Sequence, residues 1–169
     1  MTHTLGRISY ALIISLGLFS CRKDNGVAPE EVIPLDTQKV TTVNGLYVLN
    51  EGNWGSNKAS LDYYDYGTGN YRRNIYGEAN PEVTLGLGDV GNDIKIYGSR
   101  LYIVVNASNK VEVLDVKTAK RIGKIDIPNC RYVSFYKGNA YVSSYEGYVS
   151  VIDTASITET AKITVGRQP

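Results

Sequence analysis

The sequence predicts an all-β fold, because short runs of alternating apolar residues are separated by tight turns that contain glycine. Residues 94–105 fit two strands joined by a Gly-Ser turn at 98–99, and residues 133–144 repeat this pattern around a Gly-Asn turn at 138–139. Two strand-like runs separated by two residues of this kind are typical of β-hairpins. We therefore expect two antiparallel hairpins of the same design.

Each hairpin is followed by two further predicted strands, so the repeating unit has four. The third strands are 110–115 and 148–153, and the fourth strands are 121–127 and 160–165. The spacing is regular, since Tyr102 and Tyr141 are 39 residues apart, and Asp115 and Asp153 are 38 residues apart. A looser copy comes first, with strands predicted at 45–50 and 60–65 and a weaker one near 71–76.

Four-stranded units of about 40 residues are typical of β-propeller blades. The predicted fold is therefore an all-β β-propeller of about three four-stranded antiparallel blades, at 45–88, 89–128 and 129–169. Propellers close with about 4 to 8 blades, so these blades form an incomplete ring. We expect the sequence to be the N-terminal part of a longer protein. The alternative is a short chain that completes its ring by self-association.

The first residues predict export and lipid anchoring. Arg7 precedes an apolar run at 10–19 that is shorter than the ~20 residues of a membrane span. Residues 1–20 therefore predict a signal peptide, whose end and the following Cys21 (Leu-Phe-Ser-Cys) resemble the lipobox of bacterial lipoproteins. The resemblance implies that Cys21 carries a lipid and anchors the protein to the outer membrane, with the cell surface favoured over the periplasmic side. The alternatives are an ordinary signal peptide with an incidental cysteine and a short anchor helix.

The composition after the signal peptide narrows the classes of function. Residues 21–44 predict a polar tether. The formal net charge is +1 without a basic stripe, so nucleic acid is not an expected partner. The only histidine is His3, so the mature protein has neither a Ser-His-Asp triad nor a histidine-bound metal. Cys130 has no disulfide partner if Cys21 is acylated, and we expect it to be buried. We predict a binding protein rather than an enzyme, with no cofactor.

The connections between the predicted strands fall on two faces of unequal character. One face carries the loops 50–57, 106–109 and 144–147 and the connections 77–92 and 128–131, with the single Trp and many amide and charged groups. Amide side chains hydrogen-bond polar ligands, and aromatic rings stack on them. The candidate ligand-binding residues are Asn50, Glu51, Asn53, Trp54, Asn106, Asn109, Arg131 and Tyr145.

The opposite face is predicted to contain only tight turns. Asp115 and Asp153 end equivalent strands on that side. Aspartate in this place accepts hydrogen bonds from the backbone of the following turn. We therefore predict that both are turn caps rather than paired catalytic acids.

The repeats resemble those of YVTN/YncE-like propellers. The resemblance lies in three segments, 140–143 (Ala-Tyr-Val-Ser), 149–155 (Val-Ser-Val-Ile-Asp-Thr-Ala) and 163–169 (Ile-Thr-Val-Gly-Arg-Gln-Pro). They are similar to motifs that recur once per blade in that family. The resemblance implies the propeller fold but no particular function, because propellers host many unrelated activities.

Three functional hypotheses follow. The lipobox, the tether, the tyrosine-rich blades and the loop at 49–55 (Leu-Asn-Glu-Gly-Asn-Trp-Gly) resemble BtuG-type corrinoid-binding surface lipoproteins. This resemblance implies a seven-bladed ring that binds a small nutrient such as cobalamin for a TonB-dependent transporter. The second hypothesis is a surface propeller that binds a glycan or a protein. The third is a propeller lyase or lactonase, which the missing histidine makes least favoured.

Overall fold

The computed structural model describes residues 43–169, which form three antiparallel sheets. Sheet 1 contains β1 (Gly45–Asn50), β2 (Ser60–Asp65) and β3 (Tyr71–Arg72), and is followed by helix α1 (Ile75–Ala79). Sheet 2 contains β4 (Gly91–Tyr97), β5 (Arg100–Val105), β6 (Lys110–Asp115) and β7 (Arg121–Asp126). Sheet 3 contains β8 (Cys130–Tyr136), β9 (Asn139–Ser144), β10 (Tyr148–Asp153) and β11 (Thr158–Thr164). The predicted signal peptide, Cys21 and most of the predicted tether lie outside the described residues.

Sheets 2 and 3 confirm the predicted four-stranded units. Each is a meander in which successive strands pair, and the register is the same in both. Tyr102 lies between Lys95 and Val113 in sheet 2, and Tyr141 lies between Ser134 and Val151 in sheet 3. The predicted hairpin turns are also present, so alternation and turn chemistry were sufficient to place these strands. The chain therefore has an all-β propeller fold.

Sheet 1 differs from the four strands predicted for every unit, because the structure describes three strands there. The strand predicted near 71–76 ends after Arg72. Asn74 adopts a left-handed backbone conformation with φ of 50°, and its side chain accepts a hydrogen bond from the backbone N–H of Gly77. This N-cap turns the chain into α1, so the connection predicted at 77–92 begins inside a helix. In the described part of the chain, no helix is long and apolar enough to cross a membrane.

Two apolar cores lie between neighbouring sheets. The core between sheets 1 and 2 includes Ala59, Leu61, Ile75, Tyr76, Leu101, Ile103, Val105 and Leu114. The core between sheets 2 and 3 includes Tyr102, Val104, Val111, Val113, Ile127, Val133, Val142 and Ile152. Sheet 2 is therefore covered on both faces, which explains why five consecutive residues of β5, Leu101–Val105, are buried. Strand β9 alternates between buried and half-buried residues.

One polar residue recurs in the interior at the same position of β2, β6 and β10. These residues are Asp62, Glu112 and Ser150, and all three are buried. Asp62 accepts a hydrogen bond from the hydroxyl of Tyr71 on β3 (2.7 Å), and the hydroxyl of Ser150 donates to Glu159 on β11 (2.6 Å). Each therefore links its strand to the next strand outward, because a buried polar group must find a partner.

The carboxylate of Glu112 forms the corresponding link in sheet 2. Its Oε1 atom lies 2.7 Å from Nζ of Lys110, and its Oε2 atom lies 2.8 Å from Nε of Arg121 on β7. The contact with Arg121 is ionic and lacks hydrogen-bond alignment. Glu112 thereby links β6 to β7, as Asp62 and Ser150 link their strands to the next strand outward.

Candidate functional site on the loop face

The longer connections of the three sheets lie on one side, which we call the loop face. It comprises the loops 51–59, 106–109 and 145–147, the connection 127–129 and the end of the connection 80–90. That connection begins on the opposite side, where the amide of Asn80 donates to the carbonyl of Ala119 (3.0 Å).

The carboxylate of Asp89 joins the loops of sheets 1 and 2. It accepts hydrogen bonds from the backbone N–H groups of Gly55 (2.7 Å) and Asn57 (3.3 Å). The backbone N–H of Asp89 donates to the hydroxyl of Ser108 (2.8 Å) in the loop of sheet 2. The loop that carries Trp54 and the loop that carries Asn106 therefore meet at the same end of the molecule.

Asn129 joins the loops of sheets 2 and 3. Its backbone N–H donates to the side-chain oxygen of Asn109 (2.7 Å), and its carbonyl accepts from the backbone N–H of Tyr145 (3.1 Å). Its side-chain amide donates to Glu146 (2.5 Å). The loop face is therefore held together by direct hydrogen bonds.

Three of the eight candidate residues use their amide groups within the protein. The amide of Asn106 is buried and donates to the carbonyl of Cys130 (2.8 Å). The amide of Asn50 donates to Ser60 (3.1 Å) and to Asp62 (2.8 Å). The Asn109 oxygen accepts the hydrogen bond described above, and the residue has a left-handed φ of 54°. These asparagines position the loops on which other side chains are displayed.

The remaining loop candidates are accessible. Trp54 is 74% exposed and Tyr145 is 40% exposed, and Glu51 and Asn53 are also exposed. The Trp54 loop is ordered by its own backbone, because the N–H of Ser56 donates to the carbonyl of Asn53 (3.0 Å). An exposed indole on a loop fixed in this way offers a flat surface to a ligand.

Arg131 lies on β8 rather than in the connection where the sequence placed it. Its guanidinium carbon is 4.8 Å from the ring centroid of Tyr145 and 5.8 Å from that of Tyr132. Its Nε atom is buried and has no hydrogen-bond partner. Tyr132, which is also exposed, was missed by sequence reasoning. Its direction depends on a register irregularity between Cys130 and Val133, and no residue pattern marks this irregularity.

Charged groups on the inner strand β4 are used to bind sheet 3. The backbone N–H of Val133 donates to Asp93 (2.9 Å), and Nζ of Lys95 donates to the carbonyl of Val133 (2.6 Å). The amide of Asn92 donates to the carbonyl of Arg131 (3.0 Å). The backbone N–H and the carbonyl of Val133, at the edge of sheet 3, therefore both have hydrogen-bond partners on β4.

The turns on the opposite face confirm the assignment of the two aspartates as caps. Asp115 accepts hydrogen bonds from the hydroxyl and the backbone N–H of Thr118 (2.8 and 2.9 Å), which hold its pKa below its ordinary value. Asp153 accepts from the backbone N–H (2.7 Å) and hydroxyl (2.8 Å) of Ser156, and its pKa is lowered for the same reason. Asp65 repeats the arrangement with Thr68 in sheet 1.

Cys130 is buried in the core, as predicted. Burial raises the pKa of its thiol to about 11, so it is a poor nucleophile at neutral pH. Among residues 43–169, no group of three or more His, Cys, Asp and Glu side chains is placed to hold a metal ion.

The fold is similar to parts of larger solved structures. Dihydro-heme d1 dehydrogenase NirN is 12% identical with a TM-score of 0.56, over 73% of this chain and 28% of that chain. The nidogen/laminin complex is 16% identical with a TM-score of 0.53, over 73% and 45% of the two chains. Hydrazine synthase of Kuenenia stuttgartiensis is 17% identical with a TM-score of 0.52, over 64% and 30%. The chain thus spans less than half of each of these chains, and at such identities the likeness concerns the fold alone.

A comparison of the sequence with known families is more specific than the likeness in fold. No curated protein matches the chain. A family model described as Domain of unknown function (DUF5074) matches residues 44–168, which include every strand of the three sheets. The chain belongs to the DUF5074 family.

Proposed function

We propose that this chain is part of a lipid-anchored outer-membrane propeller whose loop face binds a small polar ligand. The observations that support this function most strongly are the exposed rings of Trp54, Tyr132 and Tyr145 and the half-buried Arg131 that lies over Tyr145. These side chains combine flat apolar surface with one directed charge, which is the usual composition of a small-molecule site.

The unequal chemistry of the two faces supports the choice of the loop face. On the opposite face, the carboxylates of Asp65, Asp115 and Asp153 accept hydrogen bonds from their own turns. A ligand there would have to compete with these hydrogen bonds. On the loop face the internal hydrogen bonds are made mainly by asparagines, and the aromatic rings remain accessible.

Binding is proposed rather than catalysis. The sequence beyond His3 contains no histidine, and the exposed aspartates with lowered pKa values are turn caps. The inner-strand groups Asp93 and Lys95 contact the backbone of the next sheet. No general base is left beside an activated nucleophile in these arrangements.

The ligand class favoured is a corrinoid such as cobalamin, held for a TonB-dependent transporter. The proposal rests on the resemblance of the loop around Trp54 to BtuG-type proteins and on the lipobox that ends at Cys21. A large, flat, partly polar molecule suits a face that carries an exposed indole, two tyrosine rings and a guanidinium.

The test is the binding of cyanocobalamin to the full chain, followed by quenching of Trp54 fluorescence and by calorimetry. We expect saturable binding that Trp54→Ala weakens at least about tenfold, the loss of one stacked aromatic contact. Tyr66→Ala is the matched control, because Tyr66 is an exposed aromatic residue that follows β2 on the opposite face. Equal affinities for the two variants, or no binding by the unmodified chain, would refute the corrinoid proposal.

A glycan-binding surface is the second candidate function. It is favoured by the three accessible rings of Trp54, Tyr132 and Tyr145 on one face. Signals on a glycan array that disappear in Trp54→Ala but persist in Tyr66→Ala, without corrinoid binding, would support it.

A further inference from the structure

Arg131 differs from the paired cations of the described residues in having no carboxylate partner. The ion pairs among residues 43–169 are Arg72–Glu78, Lys95–Asp93, Lys110–Glu112, Arg121–Glu112, Lys124–Asp126 and Lys162–Glu159. Arg131 belongs to none of them, although it is only partly exposed. No carboxylate of the described residues is therefore in ion-pair contact with its guanidinium.

The position of the Arg131 guanidinium is nevertheless fixed. It lies over the face of Tyr145 and near that of Tyr132, at 4.8 and 5.8 Å from their centroids. Cation–π contacts hold the plane of the group while leaving its N–H edge free. The Nε atom is buried without a partner, and an unmade hydrogen bond from a charged donor costs free energy. Because Nε is buried, an acceptor from outside would approach the terminal nitrogens of the guanidinium.

The acidic residue in the neighbouring loop is directed elsewhere. Glu146 follows Tyr145, and its Oε1 atom accepts a hydrogen bond from the side-chain amide of Asn129 at 2.5 Å. Asn129 is itself fixed by its backbone contacts with Asn109 and Tyr145. The carboxylate of Glu146 is therefore hydrogen-bonded to Asn129 and does not form an ion pair with Arg131.

We propose that Arg131, Tyr132 and Tyr145 form a subsite for an anionic group, a carboxylate or a phosphate, on the ligand of the loop face. This inference rests on the proposed function of that face. Both anions accept two parallel hydrogen bonds from the planar guanidinium, and such charge-assisted pairs are the strongest hydrogen bonds available here. The tyrosine rings orient the guanidinium and cover the apolar part of the ligand beside the anion.

The equivalent residue of sheet 2 is neutral. Asn92 holds the same place on β4, 39 residues earlier, and its neutral amide donates to the carbonyl of Arg131. A backbone carbonyl is thus satisfied by an amide at this position and needs no charge. Sheet 3 thus carries a charge at a position where sheet 2 carries a neutral amide.

The experiment is an NMR titration of the full chain labelled at arginine Nε. Inorganic phosphate and acetate are added separately, with chloride at equal ionic strength as the reference. We expect the Arg131 Nε–H signal to shift saturably with at least one of the two anions. The Arg100 signal, whose guanidinium donates to the carbonyls of Thr154 and Ala155 on the turn face, should not respond. No shift at Arg131, or equal shifts at both arginines, would overturn the subsite.

The variant Arg131→Lys keeps the charge but loses the planar fork. We expect the backbone N–H signals of Tyr145 to report anion binding that is at least about tenfold weaker in this variant. Loss of affinity for phosphate alone assigns a phosphate group, and loss for acetate alone assigns a carboxylate. Cyanocobalamin binding that is unchanged in Arg131→Lys would overturn the subsite while leaving the proposed corrinoid function intact. Anion binding at Arg131 without cyanocobalamin binding would support the subsite and refute the corrinoid proposal.

Discussion

Sheets 2 and 3 contain the same repeat but are covered differently. The ring of Tyr97 in sheet 2 stacks on Phe135 of the next sheet with centroids 4.6 Å apart, and its hydroxyl accepts a hydrogen bond from Gly138 (3.0 Å). Tyr136 holds the equivalent place in sheet 3 and is 53% exposed. The repeated sequence pattern determines the position of a side chain within its sheet, whereas the neighbouring sheet determines whether that side chain is buried.

The same difference extends along the outward-directed face of sheet 3. Ile125 of β7 is 8% exposed, and its equivalent Ile163 of β11 is 48% exposed. All seven residues of β11 are exposed. Apolar side chains that form a core in sheet 2 therefore form an accessible surface in sheet 3, and this contrast can be tested by paired substitutions.

The largest expected difference is between Tyr102→Ala and Tyr141→Ala. Tyr102 is completely buried between sheets 2 and 3, so removing its ring should lower the free energy of unfolding by about 3–5 kcal/mol. Tyr141 is only partly buried, and we expect a loss of about 1 kcal/mol. Urea unfolding of the full chain measures both values. Equal losses would show that sheet 3 is covered as completely as sheet 2.

A smaller difference is expected between Glu112→Ala and Ser150→Ala. Removal of the Glu112 carboxylate leaves Lys110 and Arg121 facing each other, and breaking a buried ion pair costs about 3 kcal/mol. Ser150→Ala removes one hydrogen bond to Glu159, which costs about 1 kcal/mol. If Glu112→Ala is as mild as Ser150→Ala in urea unfolding, the buried charge does not stabilise sheet 2.

The smallest difference is expected at the turn caps, where the two sheets are alike. Asp115→Ala and Asp153→Ala should lower the melting temperature by similar small amounts at pH 7. The folded pKa of each aspartate lies below its unfolded value. The contribution is therefore complete above the unfolded pKa of about 4 and is lost as the pH falls through the folded value.

Thermal melts between pH 7 and pH 2 check this dependence. The difference between each variant and the unmodified chain should shrink as the medium is acidified. A difference that is independent of pH at either cap would mean that the charge of the aspartate plays no part in the turn.

The parts of the fold that the sequence predicted are those that depend on local pattern. The hairpin turns and the alternation in β8–β10 identify sheets 2 and 3 without knowledge of tertiary contacts. Helix α1 was not predicted, because five residues are too few to show helical periodicity. Its start depends on the left-handed conformation of Asn74 and on the hydrogen bond from Gly77.

The candidate site was predicted less completely, because burial and direction depend on distant residues. The exposure of Trp54 and Tyr145 agrees with their position in polar loops. Asn106 also lies in a polar loop, but its amide donates a hydrogen bond to the carbonyl of Cys130, which is 24 residues away in the sequence. The packing of Arg131 against Tyr132 likewise follows from an irregularity in β8 that the sequence does not mark.

Amide hydrogen exchange of the full chain compares the two sheets most directly. Strands β6 and β10 are equivalent third strands, each hydrogen-bonded on both edges, so they differ mainly in what covers their faces. We predict that the amides of β6 exchange more slowly than those of β10, because local opening is easier where no sheet of residues 43–169 covers one face. Protection of β10 equal to or greater than that of β6 would contradict the claim that, within the described residues, sheet 2 is covered on both faces and sheet 3 on only one.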